Sequence, residues 1–185
     1  LGLTEAPHLY KRNGWYYLIT AEGGTGWGHA VTMARSRKLT GPYELHPDTY
    51  IMSARHRPDV ELRRAGHADL VETPTGETYM VYLCGRPLRN RGRCTLGRET
   101  AIQKMVWSAD DWLRTVDGQG LPYIEVAAPS LPAHAFPVQP TREDFDSPQL
   151  ALDFQWLRSP WPAELFSLTE RPGHLRLFGR ETIGS

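Results

Sequence analysis

The chain has almost no cysteine, no excess of charge of either sign and no long apolar run, and each shortage closes off a class of protein. Cys84 and Cys94 are the only thiols in 185 residues. They are too few for a disulfide scaffold and have no partners at zinc-ligand spacing. A bridge between them would close a short loop, although buried or loop thiols fit better. Lys and Arg together number 21, as do Asp and Glu, so no averaged field draws the chain to nucleic acid or to an anionic membrane surface. No stretch approaches the roughly 20 apolar residues that span a bilayer, and no charged-then-apolar leader opens the chain. A neutral partner fits this balance. The sequence opens at Leu1 directly in patterned residues and stops at Gly184-Ser185 soon after another such stretch, as an internal piece of a longer protein would.

What is present is a strand grammar used twice. His8 to Lys11, the turn Arg12-Asn13-Gly14 and Trp15 to Thr20 read as a hairpin, because an aromatic and β-branched run follows Asn-Gly. The Gly-rich segment Glu22 to Gly26, a strand over Ala30 to Ser36 and the turn Gly41-Pro42-Tyr43 complete three or four strands. Asp69 to Glu72, the turn Pro74-Thr75-Gly76, Tyr79 to Leu83 and Thr100 to Ser108 repeat the order, with about ten extra residues around Arg86 to Thr95. Repeated units of three or four antiparallel strands describe β-propeller blades. A β-sandwich with similar strands is the competing fold, and the shared order of strand, Gly turn, strand and Gly-rich loop argues against it.

Proline becomes frequent from Pro122 to Pro140, which reads as an extended connection with a boundary near residue 143. The expected division is 1–142, a partial propeller with its linker, and 143–185, the beginning of a second β domain. Leu150 to Leu157 and His174 to Gly179 alternate apolar and polar residues as half-buried strands do.

Candidate chemistry lies at equivalent points of the two copies. Aligning Glu5-Ala6-Pro7-His8 with His67-Ala68-Asp69-Leu70 puts Glu5 and His67 in the same place, where first strands approach a propeller's axis. Pro7 restrains the backbone after Glu5, which suits a proton donor; an exposed carboxylate is the plain alternative. His67 is either a catalytic or metal-binding histidine or a hydrogen-bonded structural one. Arg98, just before a strand, offers paired donors to sugar hydroxyls or to a catalytic carboxylate, or else pairs with Glu99. Trp27, in a glycine-rich loop, is the one plausible stacking platform for a ligand ring.

The runs Glu5-Ala-Pro-His-Leu-Tyr-Lys, Tyr16-Tyr-Leu-Ile-Thr-Ala-Glu-Gly-Gly-Thr and His29-Ala-Val-Thr-Met-Ala-Arg-Ser resemble family 43 glycoside hydrolases. Gly66-His-Ala-Asp-Leu-Val-Glu-Thr and Leu96-Gly-Arg-Glu-Thr-Ala-Ile-Gln resemble the next segments of that family's two-domain β-xylosidase and α-L-arabinofuranosidase branch. Phe145-Asp-Ser-Pro and Ser167 to Leu177 resemble the start of its C-terminal β-sandwich. The resemblance implies an all-β chain: the last two blades of a five-bladed β-propeller, then the start of that sandwich. It implies an exo-acting, inverting β-xylosidase on xylo-oligosaccharides, also able to act on arabinosyl substrates. Glu5 matches the general acid, Arg98 a substrate-binding arginine that adjusts carboxylate ionisation, and His67 a central histidine associated in some members with calcium. The general base and a second, pKa-modulating Asp belong to blades that this chain lacks. No cofactor is expected to be required, calcium near His67 being the exception considered. A cytoplasmic homo-oligomer without nucleic-acid or membrane partners is the further expectation, and a non-catalytic sugar-binding propeller is the competing function.

Overall fold

The computed structural model describes residues 2–88, 92–156 and 162–179, and the chain divides into two compact units, Leu1–Pro132 and Ala133–Ser185. The first unit holds two four-stranded antiparallel sheets, each in sequential order. One comprises β1 (Thr4–Arg12), β2 (Trp15–Glu22), β3 (Ala30–Ser36) and β4 (Glu44–Ser53). The other comprises β5 (Arg63–Glu72), β6 (Thr78–Gly85), β7 (Glu99–Trp107) and β8 (Leu113–Thr115). These are two propeller blades. Asn13 and Gly14 both take left-handed backbone angles, φ 48° and 75°, so the β1–β2 turn is the tight kind that matches strand twist.

The fourth strand of each blade is the part that sequence patterning underestimates. β4 contains Pro47 and Asp48 and slips register twice against β3, which is tolerated on an outer strand with one unpaired edge. β8 is three residues long and falls below any periodicity signal.

The blades share one core. Tyr17, Ile19, Val31, Met33 and Met52 of the first sheet pack with Ala65, Met80, Tyr82, Met105 and Leu113 of the second in a single buried cluster. Polar ties cross the same seam. The Tyr17 hydroxyl donates to the Asp111 carbonyl at 2.6 Å, and the Arg35 guanidinium lies 4.3 Å from the Trp15 ring and 4.0 Å from the Trp112 ring. Cys84 belongs to this core, whereas the Cys94 sulfur lies 2.9 Å from where a Cβ on Gly85 would be; both thiols are free. Cys84 and Gly85 are strand neighbours and face opposite ways, which keeps the sulfurs apart.

The ladders also correct the alignment of the two copies. Register slips between Glu5 and His8 in β1 and between Gly66 and Asp69 in β5. Ala6 (φ 50°) and His67 (φ 53°) are the left-handed residues inside these bulges. In structural register His67 therefore matches Ala6, and Glu5 matches Gly66. The connection between β6 and β7 runs over residues 86–98 where that between β2 and β3 runs over 23–29, so the insertion lies there but adds six residues rather than about ten.

Beyond β8 the chain is extended. Tyr79 donates to the Ala127 carbonyl at 2.9 Å and the Glu77 carboxylate accepts the Ser130 N–H at 2.6 Å, which ties this part of the proline-rich stretch to the second blade. In the second unit a short 3-10 turn (Pro162–Glu164) precedes β9 (Phe166–Ser167), which pairs with β10 (Arg176–Leu177). The strand expected over Leu150 to Leu157 is not formed at 150–156, and residue 157 lies outside the described residues. Phe154 packs on Phe145 and Trp156 stacks on Phe166. The alternating apolar residues are thus used in aromatic contacts, and among the described residues no neighbouring strand supplies a ladder. Of the stretch from His174 to Gly179 only β10 is strand.

Candidate active site

The site is built on β1 and β5, the first strand of each blade. His67 and Arg98 line one cavity of about 450 Å³, together with His8, Asp69, Tyr82 and Thr100. The bulge in β5 turns His67 outward, and His67 and Asp69 both fall on the exposed face of the strand. Asp69 accepts hydrogen bonds from the Tyr10 hydroxyl and from the Leu70 N–H at 2.8 Å, and His8 Nδ1 is 3.4 Å away. The Tyr10 hydroxyl bond holds Asp69 below the usual carboxylate range despite partial burial. Burial, then this bond to a carboxylate, push the Tyr10 phenol up. These contacts join the first strands of the two blades.

Arg98 stands between two cavities. The second, about 220 Å³, is lined by Thr25, Arg64, Cys84, Cys94 and Gly97 as well as Arg98. Glu99 does not pair with Arg98: it takes a forked pair of bonds from Arg86, the shortest at 2.5 Å. Among the described residues the Arg98 guanidinium has no ion-pair partner, so its donors face the cavities.

Glu5 lies on the bulged end of β1, opposite Ala21, with its side chain exposed. It does not line the cavity of His67 and Arg98. Both Glu5 and His67 nevertheless act on one buried group, His29, which is 0% exposed. Burial pushes the His29 imidazole down; the carbonyls of Glu22 and Gly24 and the Glu5 charge pull it up, and His67 pushes it down again. The net direction is down, so His29 is neutral. The charges of Glu5 and His67, on different strands, are thus both felt at His29.

Trp27 is not brought to the same place. Its ring lies 4.4 Å from the Arg64 guanidinium and 5.1 Å from that of Arg63, and it opens on a separate cavity of about 470 Å³ with Pro58 and Arg86.

Two residues that motif reading passed over hold this region together. Glu22, 3% exposed, accepts the N–H groups of Gly2 (2.7 Å) and Leu3 (3.3 Å) and the Thr4 hydroxyl (2.6 Å), which pins the start of β1 beside Glu5. His29 ends the Gly-rich loop. The only sequence signals were a carboxylate at the end of a buried strand and a histidine opening the apolar run Ala30-Val31. As to calcium, no three His, Cys, Asp or Glu side chains gather for a metal ion among the described residues. Asp69 is already engaged by Tyr10, Leu70 and His8. A cation that takes six to eight oxygens would find no cage in these residues.

Two consecutive four-stranded antiparallel blades, with a cavity against the first strand of the second, define the chain as part of a β-propeller. Residues 1–113 match the family model for glycosyl hydrolases family 43, and residues 142–185 match that for the beta xylosidase C-terminal concanavalin A-like domain. The chain belongs to glycosyl hydrolase family 43. It is 52% identical over its whole length to xylosidase/arabinosidase 43B of Humicola insolens, covering 34% of that protein. With a beta-xylosidase of Bacillus subtilis (strain 168) it shares 48% identity, over 99% of this chain and 36% of the other. The crystal structure of xylan beta-1,4-xylosidase from Bacillus halodurans C-125 superposes with a TM-score of 0.92 at 52% identity, over 99% of this chain and 35% of that one. The chain thus spans about a third of the length of the curated relatives it matches.

Proposed function

We propose that the protein is an exo-acting, inverting β-xylosidase that removes xylose from the ends of xylo-oligosaccharides, with α-L-arabinofuranosides as second substrates. The observation that carries this reading is that His67 of β5 and Arg98, just before β7, share a cavity in the blade next to the one whose first strand carries Glu5. Glu5 protonates the leaving glycosidic oxygen. Arg98, without an ion-pair partner among the described residues, presents its guanidinium to sugar hydroxyls or to a catalytic carboxylate, and His67 binds substrate beside it. Support for xylose comes from the names of the relatives, among them a xylosidase/arabinosidase and a beta-xylosidase.

Inversion needs two carboxyl groups about 6.5–9.5 Å apart, one to protonate the leaving oxygen and one to activate water on the opposite face of the ring. On this reading the general base and a second Asp that raises the acid's pKa lie outside these 185 residues. The 185-residue chain by itself is then inactive. Turnover of an aryl β-xyloside by the pure chain, abolished by Glu5→Ala, refutes the missing base.

The test of the acid uses a full-length enzyme that contains the chain. Glu5→Gln is expected to lower turnover of xylobiose by about 10²–10⁴-fold, the usual contribution of a general acid. A dinitrophenyl β-xyloside, whose leaving group needs no proton, should lose much less. Equal losses on both substrates remove Glu5 from the acid role. Saccharide binding without turnover in the unaltered protein favours the sugar-binding propeller.

A further inference from the structure

His29 is fixed on several sides and open at one nitrogen. Its N–H donates to the Gly26 carbonyl at 3.2 Å, its own carbonyl accepts the Ser53 hydroxyl at 3.0 Å, and its Nδ1 lies 3.2 Å from the Glu22 carbonyl. A ring nitrogen against a carbonyl must carry the proton, so Nδ1 is the donor and Nε2 keeps its lone pair. Nε2 is buried and has no partner among the described residues. Such an orphan inside a folded protein calls for an explanation.

Across the seam between the blades the face of the ring meets Gly66. A Cβ on Gly66 would fall 2.5 Å from Nε2 and 2.7 Å from Cγ of His29, with Cδ2 also inside contact distance. No side chain fits there. Gly66 rests its bare face on the imidazole, and the next residue is His67, held at φ 53° where β5 slips register. A left-handed backbone at a residue with a Cβ persists only when its surroundings impose it. The His29 ring is the surface on which the β5 bulge lies.

We infer that His29 is a positioning residue: its ring, anchored in the first blade, props Gly66 of the second and thereby aims His67 into the cavity it shares with Arg98. This deepens the proposed function and rests on it for the role of His67. His29 itself touches no substrate. Its part is steric: the face of its ring is the support on which Gly66 rests.

The experiment is a set of cycles in a full-length enzyme containing the chain, read as kcat/KM on an aryl β-xyloside at a temperature where circular dichroism shows every variant folded. His29→Asn keeps a donor for the Glu22 carbonyl and removes the ring face beneath Gly66; it should lower kcat/KM about 10-fold or more. In a His67→Ala background the same substitution should cost less than about 2-fold, because the residue it positions is already gone. Gly66→Ala should be severe alone and milder beside His29→Ala, since the added methyl then has the vacated ring space. Full additivity of His29 with His67, or no relief of Gly66→Ala by His29→Ala, overturns the inference. Survival of xylobiose turnover in Glu5→Gln undoes the catalytic reading instead. The positioning is then decided on the 185-residue chain by nuclear magnetic resonance: the His67 ring signals must shift on His29→Asn, and unshifted signals overturn it.

Discussion

At the scale of single residues, the side chains that organise the site are more deeply buried than those proposed to perform its chemistry. Glu22 illustrates this. Its carboxylate is buried, which alone would raise its pKa, yet the Thr4 hydroxyl and the N–H groups of Gly2 and Leu3 pull it below the usual range. A carboxyl group with a depressed folded-state pKa stabilises the fold above its unfolded value, about 4.3 for Glu, and loses that contribution as pH falls through the folded value. Glu22→Gln is therefore expected to lower stability at pH 7 and to flatten the decline as pH falls below about 4.3. Chemical denaturation across that window checks it; an unchanged acid limb removes Glu22 from the account. Motif reading singled out Glu5, His67 and Arg98 by position and chemical type. It missed Glu22 and His29 because their importance comes from partners on other strands, Thr4 and Gly66, that periodicity does not pair.

At the scale of elements, strand assignment from the sequence was good where side chains alternate or turns are marked, and poor where tertiary pairing alone makes the strand. β2, with Tyr17, Ile19 and Ala21 buried, and the Asn13-Gly14 turn were legible. β4 was not, because Pro47 and two slips of register obscure its period. The bulges were also invisible, and that is why the copies were aligned one residue out of step at Glu5 and His67. The legible turn carries its own test. At φ 75° an added Cβ is strained, and at Gly14 it would also approach Arg37 Nη1 at 3.2 Å. Gly14→Ala should destabilise by about 1 kcal/mol or slightly more. A melt in denaturant that shows no loss would mean that the turn relaxes freely.

At the scale of the whole chain, both blades draw on one buried cluster, with Arg35 held between Trp15 of the first blade and Trp112 of the second. The blades should accordingly unfold together. Leu113→Ala, at a fully buried position in the short strand β8, should cost about 2–5 kcal/mol. The loss should reach the first blade: hydrogen exchange at Ile19 and Val31 should speed up as much as at Met80. Acceleration confined to the second blade would show two independent units. The all-β architecture was legible from repeated grammar at this scale. The shared core was not, since no residue pattern says which neighbour a blade leans on.

The left-handed bend that the two first strands share at Ala6 and His67 has a consequence for how such a molecule changes over time. The fold makes the same bend twice and fills it once with a methyl group and once with an imidazole. On the proposed function, the substrate-binding side chain is thus mounted on a backbone feature that exists without it. A lineage can exchange the side chain at the bend, and so acquire, shed or redirect an activity, while the sheets that make the bend stay under separate selection for packing.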